Sequence, residues 1–198
     1  MKSNICTIQK GGLGLETILT EVEKVAAYNG LQKKETLRLR LLAEELTGML
    51  PELVRNFEGS FWMQNNENKY ELHVDLSVDS LSKERKQALI DVSAAKKNAS
   101  AAGFMQKIRD IAENMLLYSE EPNINHFYMP EYMFDYCPDD YHYAYAWTLD
   151  HYVSQQHERK ADDKEWDQLE KSIVAKLADD VIVGVRGRKV EIIIKKEF

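Results

Sequence analysis

The stretch Tyr70-Glu71-Leu72-His73-Val74-Asp75-Leu76-Ser77-Val78 alternates without interruption. Tyr70, Leu72, Val74, Leu76 and Val78 fall on one side, Glu71, His73, Asp75 and Ser77 on the other. A period of two residues is that of a strand with one face in a core and the other in polar surroundings. Ahead of it, Phe61-Trp62-Met63-Gln64 is short and aromatic-rich and reads as a second strand. Asn65 to Lys69, between the two, carries the asparagines expected of a hairpin turn.

On the N-terminal side the period changes to that of a helix. Ile18, Val22 and Val25 fall at i, i+4 and i+7 and predict a helix over Leu15–Tyr28, closed by Asn29-Gly30. Leu39, Leu42, Leu46, Met49 and Leu53 predict a longer one from about Lys33 to Val54, with Pro51 kinking or ending it near Leu50. Cys6 to Gln9 reads as a short strand or extended lead-in. Gly11, Gly12 and Gly14 lack the flanking strand, spacing and lysine of a phosphate loop and read as a turn.

Beyond the hairpin a helix is expected over Ser82–Ser93, with Ser82 as N-cap. A small, basic loop follows over Ala94–Gly103, then a helix over Phe104–Leu117 with Phe104, Ile108, Ile111 and Met115 on one face. Residues from Ser119 to about Asp163 differ in texture and form a Tyr-rich insertion. Pro122, Pro130 and Pro138 and most of the tyrosines lie between Ser119 and Tyr145, and a helix is expected from about Tyr141 to His157. A further helix, Lys164–Leu177, leads to a closing hairpin of Val181–Val185 and Lys189–Ile194 around Arg186-Gly187-Arg188. The expected fold is a single-domain α/β two-layer sandwich. Its sheet would be mixed, mostly antiparallel, of four or five strands, and covered on one face by helices.

The chain has 198 residues and a formal net charge of -7. That balance opposes a nucleic-acid partner or an anionic membrane surface, since both need a basic face. Cys6 and Cys137 are too few and too far apart for a disulfide framework or a CxxC site. The first residues contain no apolar run of signal-peptide length, and no stretch approaches a membrane span, so a cytoplasmic location is expected. His126, His142, His151 and His157, with Cys137, Asp139 and Asp140, fit no zinc spacing, so no metal site is expected. No GxSxG or comparable nucleophile motif is present.

The order helix, long helix, β-hairpin, helix, loop, helix, terminal hairpin resembles the ATP-binding domain of the histidine-kinase-type (GHKL) superfamily, and within it the anti-sigma-factor serine kinases. The likeness lies in Leu15 to Val78, particularly Gly30-Leu31 through Gly48, and in Asp180 to Lys195. The family's long helix carries a glutamate that acts as base or positions water, and four residues on an asparagine that holds magnesium. The matching run is Ala43-Glu44-Glu45-Leu46-Thr47-Gly48, so Glu44 takes the glutamate's place and Gly48 the asparagine's. Glycine has no side-chain oxygen to give a metal. The aspartate that reads the adenine amino group matches Asp79 better than Asp75, although neither is followed by the family's glycines. Lys96, Lys97 and Asn98 fall in the region of the phosphate lid, and Gly103 is its one matching glycine.

The resemblance implies a divergent ATP-binding regulator with magnesium-dependent phosphoryl transfer impaired or absent, a protein partner, and room for a homodimer. Each residue also has a plainer reading. Glu44 and Glu45 suit a solvated helix face, Asp79 a turn, and Lys96, Lys97 and Asn98 a solvated loop. The aromatic run from Phe127 to Trp147 suits either an interaction surface or a satellite core. A second reading of the whole chain therefore stands beside the first: a protein-interaction module that kept the fold without the nucleotide.

Overall fold

The computed structural model describes residues 1–9, 14–53, 57–79, 104–120, 145–159 and 172–198. Its elements are β1 (Cys6–Gln9), α1 (Leu15–Tyr28), α2 (Lys33–Leu53), β2 (Phe57–Asn66), β3 (Lys69–Val78), α3 (Phe104–Glu120), β4 (Tyr145–Thr148), α4 (Leu149–Arg159), α5 (Ile173–Leu177), β5 (Asp180–Arg186) and β6 (Lys189–Glu197). The helix expected over Ser82–Ser93, the loop Ala94–Gly103 and most of the Tyr-rich insertion lie outside the described residues.

The strands form one sheet in the order β1-β2-β3-β6-β5-β4. Every pairing among them is antiparallel. Among the described residues the sheet thus has six strands where four or five were expected, and no parallel pair. The additional strand is β4, which falls where the sequence suggested the start of a helix. Trp147 pairs with Val183 of β5 and is buried on the core face. Four residues are too few to display a period of two, and α4 begins directly at Leu149.

β3 lies between β2 and β6, and its alternation divides the sheet. Tyr70, Leu72, Val74, Leu76 and Val78 join the core, together with Phe61 and Met63 of β2 and Val190, Ile192 and Ile194 of β6. The described helices contribute to this same cluster through Val22 and Val25 of α1, Leu39, Leu42, Ala43 and Leu46 of α2, and Ile108 and Met115 of α3. α2 packs between α1 on one flank and α3 on the other. Burying a leucine- or valine-sized side chain contributes roughly 1.5–3 kcal/mol, so this shared apolar seam is what holds the two layers together.

α1 starts and ends where its stripe predicts. Gly30, at φ 71, lets the Leu31 N–H turn back to the Ala26 carbonyl at 3.0 Å and close the helix. Pro51 does not end α2 near Leu50, because the helix runs on to Leu53. Proline there has no N–H to give the Thr47 carbonyl, and the helix continues for the remaining residues of its last turn without that bond. Nor is the helix expected over Lys164–Leu177 continuous. Ser172 is extended at φ -70 and ψ 132, and its hydroxyl accepts from the Ala175 N–H, making it the N-cap of α5. Among the described residues no helix is long and apolar enough to cross a membrane.

Gly59 of β2 faces Leu76 of β3 with no room for a side chain. A Cβ there would stand 2.6 Å from the Asp75 carbonyl oxygen and 2.6 Å from Leu76 Cδ2. Backbone cannot retreat as a side-chain tip can, so Gly59→Ala is expected to lower stability by about 1–3 kcal/mol. Urea unfolding followed by circular dichroism would read this as a lower midpoint, and an unchanged midpoint would refute the close packing.

Candidate functional site

Of the residues singled out by the resemblance, Glu44 and Asp79 are described, while Lys96, Lys97, Asn98 and Gly103 lie outside the described residues. Glu44 projects from the middle of α2 and accepts from Arg40 Nε at 3.1 Å. The same guanidinium pairs with Glu23 of α1. These partners place Glu44 at the α1–α2 seam, on the flank of α2 away from α3. Such half-buried i, i+4 pairing on a helix flank contributes little to stability.

Gly48, one turn further along α2, is exposed, and a Cβ built on it meets nothing within 4 Å. The place of the family's metal-holding asparagine is therefore open in space and lacks a ligand atom, so the residues present do not fit a magnesium held from α2. Asp79 directly follows β3 and is exposed, without a side-chain hydrogen bond or ion pair among the described residues. Nothing bonds Glu44 and Asp79 to each other among the described residues. Of the histidines considered for a metal, His151 alone has a described side chain, and no group of three or more His, Cys, Asp or Glu is arranged to hold an ion among the described residues.

A cluster of perturbed ionisable groups sits on the opposite face of the sheet. His73 is buried at 5 % relative exposure, on the side of β3 away from the helices. Its imidazole stacks on the indole of Trp62, its cross-strand partner in β2, with ring centroids 4.8 Å apart and an interplanar angle of 8°. Nε2 lies 3.2 Å from Glu71 Oε2. Nδ1 lies 3.5 Å from Glu191 Oε1 of β6, an ion-pair distance rather than an aligned hydrogen bond. Gln64 Nε2 donates to Glu71 Oε2 at 2.6 Å and fixes that carboxylate.

Electrostatics follow from these contacts. The His73 bond holds Glu71 down at about 2, against the opposing effect of its own partial burial. Burial presses His73 toward neutrality, yet Glu191 and Glu71 together outweigh it and leave the imidazole above its ordinary value. Asp75, next along this face, is raised by burial and by the Glu191 carboxylate, with Lys189 opposing. The arrangement can hold a proton on a buried imidazole between two carboxylates. Sequence reasoning placed Glu71, His73 and Asp75 on one polar face but could not assemble the cluster, because Trp62 and Glu191 arrive from strands on either side of β3.

Comparison with protein-family models, with curated proteins and with solved structures finds no match for this chain.

The pair imposes a pH profile on stability. His73, raised on folding, stabilises fully below its ordinary value of 6.5, and that contribution is lost as pH climbs through the folded value. Glu71, lowered on folding, stabilises above its ordinary value of 4.5, and its contribution is lost as pH falls toward about 2. The stability difference between wild type and His73→Gln is therefore expected to peak between these two values and to shrink on either side. Urea midpoints across the pH range measure it, and a flat difference would contradict the pairing.

Proposed function

We propose that this chain is a divergent nucleotide-binding regulator, similar to the anti-sigma-factor kinases of the GHKL superfamily, with little or no phosphoryl transfer. The observation that carries the reading is the element order. Two helices, a hairpin followed by an exposed aspartate, a later helix and a terminal hairpin assemble on one sheet with the described helices on one face. These are the described elements of the order on which the resemblance rests, and Asp79 is accessible at the end of β3. ATP is the ligand the reading implies, and Asp79 is the described residue that would meet the base.

The low turnover has its own support. Phosphoryl transfer depends on positioning and charge stabilisation, for which these enzymes rely on a metal ion. Gly48 supplies no ligand, and the Glu44 carboxylate is occupied by Arg40 at the α1 seam. A regulator of this kind would signal by occupancy, through a protein partner that distinguishes the loaded from the empty form.

Calorimetric titration with a non-hydrolysable ATP analogue tests the reading. Binding is expected without magnesium, and Asp79→Asn is expected to weaken it ~10-fold, the scale of losing one hydrogen bond to a charged group. Gly48→Asn, at a site with space for the side chain, is expected to make binding magnesium-dependent. Absence of heat at millimolar analogue would sink the nucleotide and leave the interaction module.

A further inference from the structure

The segment ahead of β1 runs along the edge of β2 as a strap. The Ser3 N–H donates to the Met63 carbonyl at 2.7 Å, and the Asn65 N–H donates to the Met1 carbonyl at 2.8 Å. The Met63 N–H donates to Ser3 Oγ at 2.9 Å. Lys2 forms a β-bridge with Gln64. Its ammonium lies 4.5 Å from the centroid of the Trp62 ring. The strap and β3 flank β2 on opposite edges. The indole therefore stands between the Lys2 ammonium on one side and the His73 imidazole on the other.

We propose that His73 and this strap form a proton-operated latch, in which protonation of His73 loosens Lys2 from Trp62 and frees the edge of β2 at Met63 and Asn65, and deprotonation closes it.

Two effects give the same sign. A cation bound to one side of an indole competes with a second cation on the other, because both draw on the same ring electrons. With His73 neutral, the nearby carboxylates also attract the Lys2 ammonium, and protonation cancels one of those charges. Among the described residues, the charged groups facing His73 are Glu71 and Asp75 on its own strand and Glu191 and, diagonally, Lys195 on β6. On β2 the neighbours of His73 on this face are Ser60, Trp62 and Gln64, none of them charged, with Glu58 further along opposite Ser77 and Lys2 beyond the indole. A second line of contact runs parallel to the rings, since Gln64 is both the strap's bridge partner and the residue that holds Glu71. The coupling is reciprocal: whatever protonation does to the strap, loss of the strap's cation must do in reverse to the proton.

Residue-resolved amide hydrogen exchange on the full chain tests the latch, comparing about pH 5.5 with about pH 8.5, on either side of an ordinary histidine transition. After correction for intrinsic rates, protection of Ser3 and Asn65 is expected to fall about two- to five-fold at the lower pH relative to the β3–β6 ladder, the range of one exposed cation–π contact. His73→Gln is expected to abolish that dependence. Lys2→Gln, which leaves the cluster intact, is expected to raise the His73 titration midpoint read from its ring proton shifts. Strap amides that track the rest of the sheet at both pH values, a dependence that survives His73→Gln, or a midpoint unmoved by Lys2→Gln would each overturn the latch.

Discussion

β3 is paired along both edges, with β2 on one side and β6 on the other. A strand held in this way cannot slip by one residue without exchanging its apolar face for its polar one. From that register follows the position of the helical layer, since Tyr70, Leu72, Val74 and Leu76 form the floor on which it rests. The composition of the far face follows too, because Glu71, His73 and Asp75 have nowhere else to go. The close approach of Gly59 to Asp75 and Leu76 tightens the same register from the neighbouring strand.

The helical layer inherits its arrangement from the floor. α1 reaches β2, α3 reaches β5 and β4, and α2 takes the middle. A helix in the middle has three tasks: its core stripe faces the sheet, one flank meets α1 and the other meets α3. Arg40 and Glu44 lie on the α1 flank and are joined there to Glu23. Spacing along the sequence gives a residue's height on such a helix but not the flank toward which its side chain is drawn. For this chain the difference separates an acid waiting for chemistry from one engaged in an ion pair.

What the sequence made legible follows the strength of its periodicities. α1, α2, β3 and the closing hairpin are long enough for a stripe or an alternation to stand out, and their ends fall within a few residues of expectation. β2 extends to Phe57 on one side and Asn66 on the other, beyond its aromatic centre, because pairing with β3 recruits residues that show no pattern of their own. Asn65, expected in a turn, is instead buried on β2, with its amide donating to Asn29 Oδ1 at 2.9 Å. The turn passes to Glu67, which takes φ 57 without being glycine. β4 and the break at Ser172 were illegible for a related reason: both depend on a distant partner or a single capping bond. The His73 cluster was invisible because adjacency across strands is a property of register, and register is settled only when the sheet closes.

The sheet order carries a consequence for how the molecule is assembled. β2 and β3 form a local hairpin, but the free edge of β3 is completed by β6, roughly a hundred residues later in the chain. Until the β5–β6 hairpin is made, β3 presents a full row of unpaired N–H and C=O groups beside an apolar face, a template for pairing with other chains. Closure over so long a separation is slow, because loop entropy must be overcome before the contacts repay it. The polar side of β3, with its glutamate, histidine and aspartate in alternate places, then does duty before the fold exists. Charges on an open edge discourage neighbouring chains from adding to it, so the residues that later surround a buried proton first help keep the unfinished sheet to itself.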